Sequence, residues 1–389
     1  MISIIFLWLL IILLIQVLFK LINIKKNYVI CFFISIVIVL FFVNLDVSIS
    51  AALAGAKLWF KAMLPTLFPF LVICNLLISY DGITVYSKIL GPLLCKPLGL
   101  SKSCSFPLAA SFLCGYPLGA KYCTDIYELG YIDRKEYIRL LNVASNCGPL
   151  FIVGSVALAM LGNAKLGYIL LIANYLSLII IGFITKTKAS SSSLESKMPT
   201  IKIKNFGVAF KEAIDNALTT TLTVGGFIIL FSVVIAIIKN NAQISIVFNN
   251  IESLINLPKD SLYALFLGSI EITNGCNILA NSSLTLPFKL SIISFLCSFS
   301  GLSIIAQVTS FTSKHDVPTA RYMLLKLVQG IVSFIITFAI SNLFLGSIET
   351  STIQVGIKSL NPIMYFVPII LILCLGVMEF TFKKLFKRI

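Results

Sequence analysis

Predominantly apolar runs of roughly 17–25 residues, the length that crosses a hydrocarbon layer about 30 Å thick, recur along this chain. They fall near Ile2–Phe19, Tyr28–Leu45, Leu58–Ser79, Leu166–Thr185, Thr221–Ile238, Leu262–Leu279, Leu290–Phe311, Met323–Leu345 and Pro362–Phe380. Shorter runs at Phe106–Leu118 and Gly148–Leu161 interrupt the series. Of 389 residues, 58% are hydrophobic and 12% charged, more apolar surface than a water-soluble core requires. The expected class is an all-α polytopic membrane protein with about 8–10 transmembrane segments.

The formal charge of +15 points to the membrane by its placement. Basic residues gather at span ends: Lys20, Lys25 and Lys26, then Lys186, Lys188, Lys197, Lys202 and Lys204, then Lys383, Lys384, Lys387 and Arg388. That is the positive-inside distribution; the expected partner is the lipid bilayer, not nucleic acid. The first span lacks a basic leader and a small-residue cleavage site, and reads as a retained helix. Cys31, Cys74, Cys297 and Cys374 lie in apolar runs, where a thiol behaves as a small hydrophobe. Cys95, Cys104, Cys114 and Cys123 leave one disulfide open. With no CxxC pair and one histidine, His315, no metal site or cofactor is expected.

The polar, Ser-rich stretch TKTKASSSSLESKMPTIKIKN divides the chain. The resulting organisation is N-terminal helices over 1–45, a first unit over 46–185, a basic linker over 186–205 and a second unit over 206–389. SFLC occurs at Ser111–Cys114 and again at Ser294–Cys297, 183 residues on; the tyrosines opening the next helices, Tyr137 and Tyr322, are 185 apart. Landmarks in one order at near-constant spacing predict related halves, parallel or inverted. A basic linker and a basic C-terminus on one side demand an even number of crossings between them. The five runs there predict either that one is re-entrant or that one of the two charge clusters does not mark the cytoplasmic side.

Four polar breaks interrupt the apolar runs. CGYPLGAKYC places Gly115, Tyr116, Pro117 and Gly119 before Lys121; NVASNCGPLFI places Asn142, Ser145 and Asn146 before Gly148 and Pro149. GSIEITNGCN holds Glu271, Thr273 and Asn274, and SFSGLSIIAQ holds Ser300, Gly301, Ser303 and Gln307. Non-helical backbone at membrane depth is tolerated only inside protein or beside a watery cavity, and half-helix N-termini attract anions. The first break reads either as an anion-binding hairpin tip with Lys121 adding its charge, or as a packing kink with Lys121 snorkelling. An acid within an apolar run is a functional candidate; Glu271 is open to a coupling proton, to pairing with Lys121, or to hydrogen-bonding a solute. Paired interrupted segments are the usual pointer to a transporter's solute site. HExxH, GxSxG and Walker A sequences are absent, so an enzyme is not expected.

FLCGYPLGAK, NVASNCGPLFIVG, GSIEITNGC and FSGLSIIAQ together resemble the YlbJ (SpoVV) family of sporulation integral membrane proteins, in order from Ala51 to Phe380. That family is placed in the nucleoside-recognition (Gate) group, akin to concentrative nucleoside transporters. The resemblance implies two Gate-like repeats and residence in the mother-cell-derived outer forespore membrane of an endospore former. It implies a role in spore cortex and core maturation, and carriage of dipicolinic acid from the mother cell. The motifs assign solute contacts to Gly115, Tyr116, Gly119, Lys121, Asn142, Asn146, Glu271, Thr273, Asn274, Gly301, Ser303 and Gln307. Dipicolinate is a flat aromatic dianion; backbone N–H groups at Gly115–Gly119 and Lys121 suit a carboxylate, and Tyr116 suits the ring. Glu271 repels an anion unless protonated or paired. A nucleoside or another small metabolite is therefore the alternative solute, and a non-transporting scaffold for spore-envelope assembly the second alternative.

Overall fold

A backbone without water must satisfy its own N–H and C=O groups, and the described secondary structure is accordingly helical, with no strand among the described residues. The computed structural model describes residues 26–186 and 205–344. The expected spans Ile2–Phe19 and Pro362–Phe380, and most of the linker, lie outside the described residues.

Helix α1 (Lys26–Val43) meets α2 (Leu45–Leu58) at Asn44 with a bend of 98°. A π-helical turn at Trp59–Met63 leads into α3 (Leu64–Ser79); it lies directly upstream of Pro65, which has no N–H to close a normal turn. The expected span Leu58–Ser79 is thus the second part of a helical path that starts at Leu45. At Asp81 the chain turns by 91° into α4 (Gly82–Ile89), followed by α5 (Gly91–Leu94).

Next come α6 (Ser105–Cys114), α7 (Leu118–Glu128), α8 (Arg134–Val143), a π-helical segment at Leu150–Met160, and α9 (Ala164–Ile184). Asp133 caps α8 by accepting from Glu136 N at 2.7 Å, a start signal readable in IDRKE. The second half runs α10 (Phe206–Asn240), α11 (Ala242–Leu254), α12 (Ser261–Ile270), α13 (Ile272–Ala280), α14 (Leu286–Phe299), α15 (Gly301–Thr312) and α16 (Thr319–Phe344).

Helix α10 runs alongside α2 and α3. Gly225 sits against Trp59, whose Nε1 donates to Thr221 O at 3.1 Å, and Asn75 Nδ2 donates to Ala213 O at 3.3 Å. Helices α14 and α16 are tied by hydroxyls: Ser294 Oγ and Ser333 Oγ lie 2.7 Å apart, and Thr337 Oγ1 donates to Ser294 Oγ at 2.7 Å. Small polar residues let apolar helices approach closely in lipid, where burial of hydrocarbon drives nothing. Four described helical stretches are long and apolar enough to cross a membrane: Ala164–Ile184, Phe206–Asn240, Leu286–His315 and Thr319–Leu343. Two bent pairs raise the number to six.

Two expectations need correction. The run Leu262–Leu279 is not one span, because the chain reverses at Glu271 and Gly268 and Gly275 stack backbone on backbone. It folds back on itself as a helical hairpin. The SFLC landmarks also fall on unlike elements. Ser111–Cys114 ends a hairpin helix, whereas Ser294–Cys297 belongs to a span that continues past its break. The order hairpin, broken helix, long helix instead occurs twice at another spacing. Tyr116 and Glu271, Asn146 and Gly301, and the helix starts Ala164 and Thr319 are each 155 residues apart.

Candidate functional site

Gly115 ends α6 with φ 75°, a left-handed backbone that a side chain resists, and the cis Tyr116–Pro117 peptide follows. Helix α7 then returns along α6, so that a Cβ placed on Gly119 would stand 2.9 Å from Ser111 Cβ. The same hypothetical Cβ would lie 1.6 Å from Ala144 O; only glycine lets α7 rest on the last turn of α8. Gly115 itself lies against Gly148 N and Asn146 O. The tip of the first hairpin therefore touches the break between α8 and the π-helical segment.

At that break Asn146 is 0% exposed. Its Nδ2 donates to Ser111 Oγ at 3.1 Å and Val143 O at 3.0 Å, while its Oδ1 has no partner. Asn142, one turn earlier, donates to Ile138 O at 2.9 Å and likewise leaves Oδ1 unpartnered. Ser145 Oγ and Tyr322 Oη share a hydrogen bond of 2.6 Å, which joins the break to α16.

Glu271 forms the tip of the second hairpin in extended conformation. Its carboxylate accepts from Thr273 N and Asn274 N, both at 3.0 Å, and from Asn274 Nδ2 at 2.8 Å. An acid on free N–H groups at a helix start is a capping arrangement favoured by the helix dipole. Lys239 Nζ reaches Asn274 Oδ1 at 3.0 Å. The fourth break, Ser300–Gly301, has both residues at positive φ, and Gly301 abuts the carbonyls of Gly268, Ser269 and Ile270 at the end of α12.

The four interruptions meet. Tyr116 Oη donates to Cys297 O at 2.7 Å, linking the first hairpin tip to α14. The buried thiols of Cys147 from the α8 break and Cys276 from the second hairpin neighbour that of Cys297. Asn174 of α9 donates to Ser298 Oγ at 2.9 Å and leaves its Oδ1 unpartnered. Lys326, 1% exposed, enters from α16. Its Nζ donates to Ser145 O, bonds Gln329 Oε1 at 2.9 Å, and stands 5.9 Å from the ring centroids of both Tyr116 and Tyr322.

A curated relative matches the chain over 306 residues at 28% identity, spanning 73% of this chain and 75% of the relative: the sporulation integral membrane protein YlbJ of Bacillus subtilis (strain 168). The chain is thus similar in sequence to the YlbJ family along most of its length. It is an integral membrane protein. No protein-family model matches it. Among solved structures, CNTnw in an intermediate state aligns with TM-score 0.44 and 17% identity over 80% of this chain and 86% of that one. CNTnw in an inward-facing, substrate-bound state aligns with TM-score 0.41 and 18% identity, covering 80% and 84%. The all-helical assignment rests on the chain's own helices.

Within this YlbJ-like chain the sequence-predicted residues separate into groups. Gly115, Tyr116, Gly119 and Asn146 gather at the junction of the first hairpin with the α8 break, and Gly301 closes on the second hairpin. Glu271, Thr273 and Asn274 form one cap. Ser303 and Gln307 are buried along α15, their side chains 3.5 Å apart. Lys121 is buried but bonded to Asp125 one turn on, at 2.5 Å; Lys121 and Glu271 do not pair with each other. Cys95, Cys104, Cys114 and Cys123 are all free thiols. Sequence reasoning passed over Lys326, Gln329, Asn174 and the thiol cluster. The signal for Lys326 was present, because a lysine and a glutamine inside RYMLLKLVQG are expensive in an apolar helix.

Proposed function

We propose that this YlbJ-like protein is a transporter that moves dipicolinate across the outer forespore membrane during spore maturation, by alternating access and without catalysing a reaction. The observation that carries the reading is the convergence of four interrupted helical segments on one buried polar cluster. Such backbone is costly in lipid and is found where protein or a watery route surrounds it. Paired hairpins and broken helices are the usual framework of a solute site. The repeated order at 155-residue spacing supports a duplicated unit, with each copy supplying one hairpin and one broken helix. Solute contacts are assigned to Tyr116 and Asn146 on the first side and to Glu271, Asn274 and Gly301 on the second.

A second reading, a neutral nucleoside-like solute, draws on the unpartnered carbonyl oxygens of Asn142, Asn146 and Asn174, which accept hydrogen bonds and offer nothing to an anion. Uptake by proteoliposomes of labelled dipicolinate and of a labelled nucleoside separates the readings. Saturable dipicolinate uptake that excess nucleoside does not inhibit supports the proposal. Nucleoside uptake alone transfers the site to the second reading. Well-folded protein that moves neither leaves the scaffold.

A further inference from the structure

Lys326 has a requirement that its protein neighbours do not meet. An ammonium group carries three N–H donors and a full charge. Ser145 O and Gln329 Oε1 accept two of the donors, but a carbonyl and an amide neutralise nothing. Among the described residues no carboxylate is ion-paired with Lys326, unlike Lys121, which has Asp125. An uncompensated buried charge costs several kcal/mol, and a well-packed apolar side chain of similar volume is commonly neutral or stabilising in its place. Lys326 sits at the convergence of the four breaks, where a solute would pass.

Gln329 supplies the second observation. It is 1% exposed, its Oε1 is held by Lys326, and its Nε2 has no partner. The ammonium and this amide N–H donor are one helical turn apart on one face of α16. Together they offer one charged and one neutral donor to two oxygens on one carbon. The rings of Tyr116 and Tyr322 flank the ammonium at 5.9 Å, so a flat aromatic body attached to that carbon would meet aromatic surface.

We propose that Lys326 and Gln329 form a carboxylate-binding subsite that makes the protein select small aromatic carboxylates over uncharged solutes of the same shape. The proposal rests on the transport reading only for how the ligand arrives. Its structural rival is that the ammonium merely caps the carbonyl at the α8 break, as lysines near helix C-termini do.

The test uses the full chain purified in detergent and then reconstituted. Thermal unfolding is followed with dipicolinate and with pyridine-2,6-dimethanol, its uncharged analogue, for wild type, Lys326→Met and Gln329→Leu. The wild type is expected to gain stability saturably with dipicolinate and not with the diol. Lys326→Met should weaken dipicolinate binding by about tenfold or more while its unliganded melting temperature stays level or rises. A capping role would lower that temperature and leave the affinity unchanged, which overturns the proposal, as does a wild type that responds to no carboxylate. Should Lys326→Met fail to fold, Gln329→Leu decides: a loss of about threefold to tenfold supports the subsite, and unchanged affinity overturns it. Wild type that binds dipicolinate but moves none in liposomes removes the transport reading and keeps the subsite. Dipicolinate flux that Lys326→Met does not alter does the reverse.

Discussion

Tyr116 Oη donates to Cys297 O at 2.7 Å across 181 residues of sequence. The acceptor is one of the last four carbonyls of α14, which have no partner within their own helix. One phenol thus satisfies a helix end and holds the first hairpin tip against the second broken span.

Removing that hydroxyl should loosen the junction. Tyr116→Phe is expected to lower stability by about 1–2 kcal/mol, the usual cost of leaving a buried acceptor unmet. Thermal unfolding in detergent would read it. An unchanged melting temperature would mean that the contact carries no weight.

Gly119 has no room for a methyl group, since a Cβ there would lie 1.6 Å from Ala144 O, and backbone cannot swing aside. Gly119→Ala should separate α7 from α8 and give protein that does not elute as a single species in size-exclusion chromatography. Gly226 in α10 faces open space. Gly226→Ala should fold normally and gain up to about 1 kcal/mol of helix propensity.

Lys121 and Asp125 form a half-buried pair in α7 at 2.5 Å. Lys121→Met would strand the Asp125 carboxylate at the edge of an apolar environment, and is expected to lower stability by about 1–3 kcal/mol. The double variant Lys121→Met with Asp125→Asn should recover part of the loss, a coupling that a double-mutant cycle measures directly.

Glu271 holds the first turn of α13 through three hydrogen bonds. Glu271→Gln keeps an acceptor and loses the charge that complements the helix start, for an expected cost of about 0.5–1 kcal/mol. Glu271→Ala should cost about 1–2 kcal/mol. Hydrogen exchange at Thr273 and Asn274 would rise in the same order.

The positions of the interruptions were legible because Gly115, Pro117, Pro149, Glu271 and Gly301 each break a rule that apolar helices obey. What happens after a break was not. Glu271 reads as an acid buried in a span of 18 residues, yet one extended residue there turns the chain back on itself, and hydrophobic periodicity carries no sign of direction. The two SFLC copies matched in letters and not in role, since composition alone aligned a hairpin helix with half of a broken span. Lys121 looked free because its partner four residues on lies in the polar half of a short helix. Lys326 went unnoticed because its burial depends on Tyr116, Ser145 and Gln329, brought together from three separate elements.

The most direct measurement is an experimental structure of the protein with dipicolinate bound. The account predicts the solute between Tyr116, Cys297 and Lys326, with one carboxylate on Lys326 Nζ and Gln329 Nε2 and its ring against an aromatic side chain. A solute bound elsewhere, with Lys326 still sealed among protein atoms and all four breaks unchanged around it, would contradict the account.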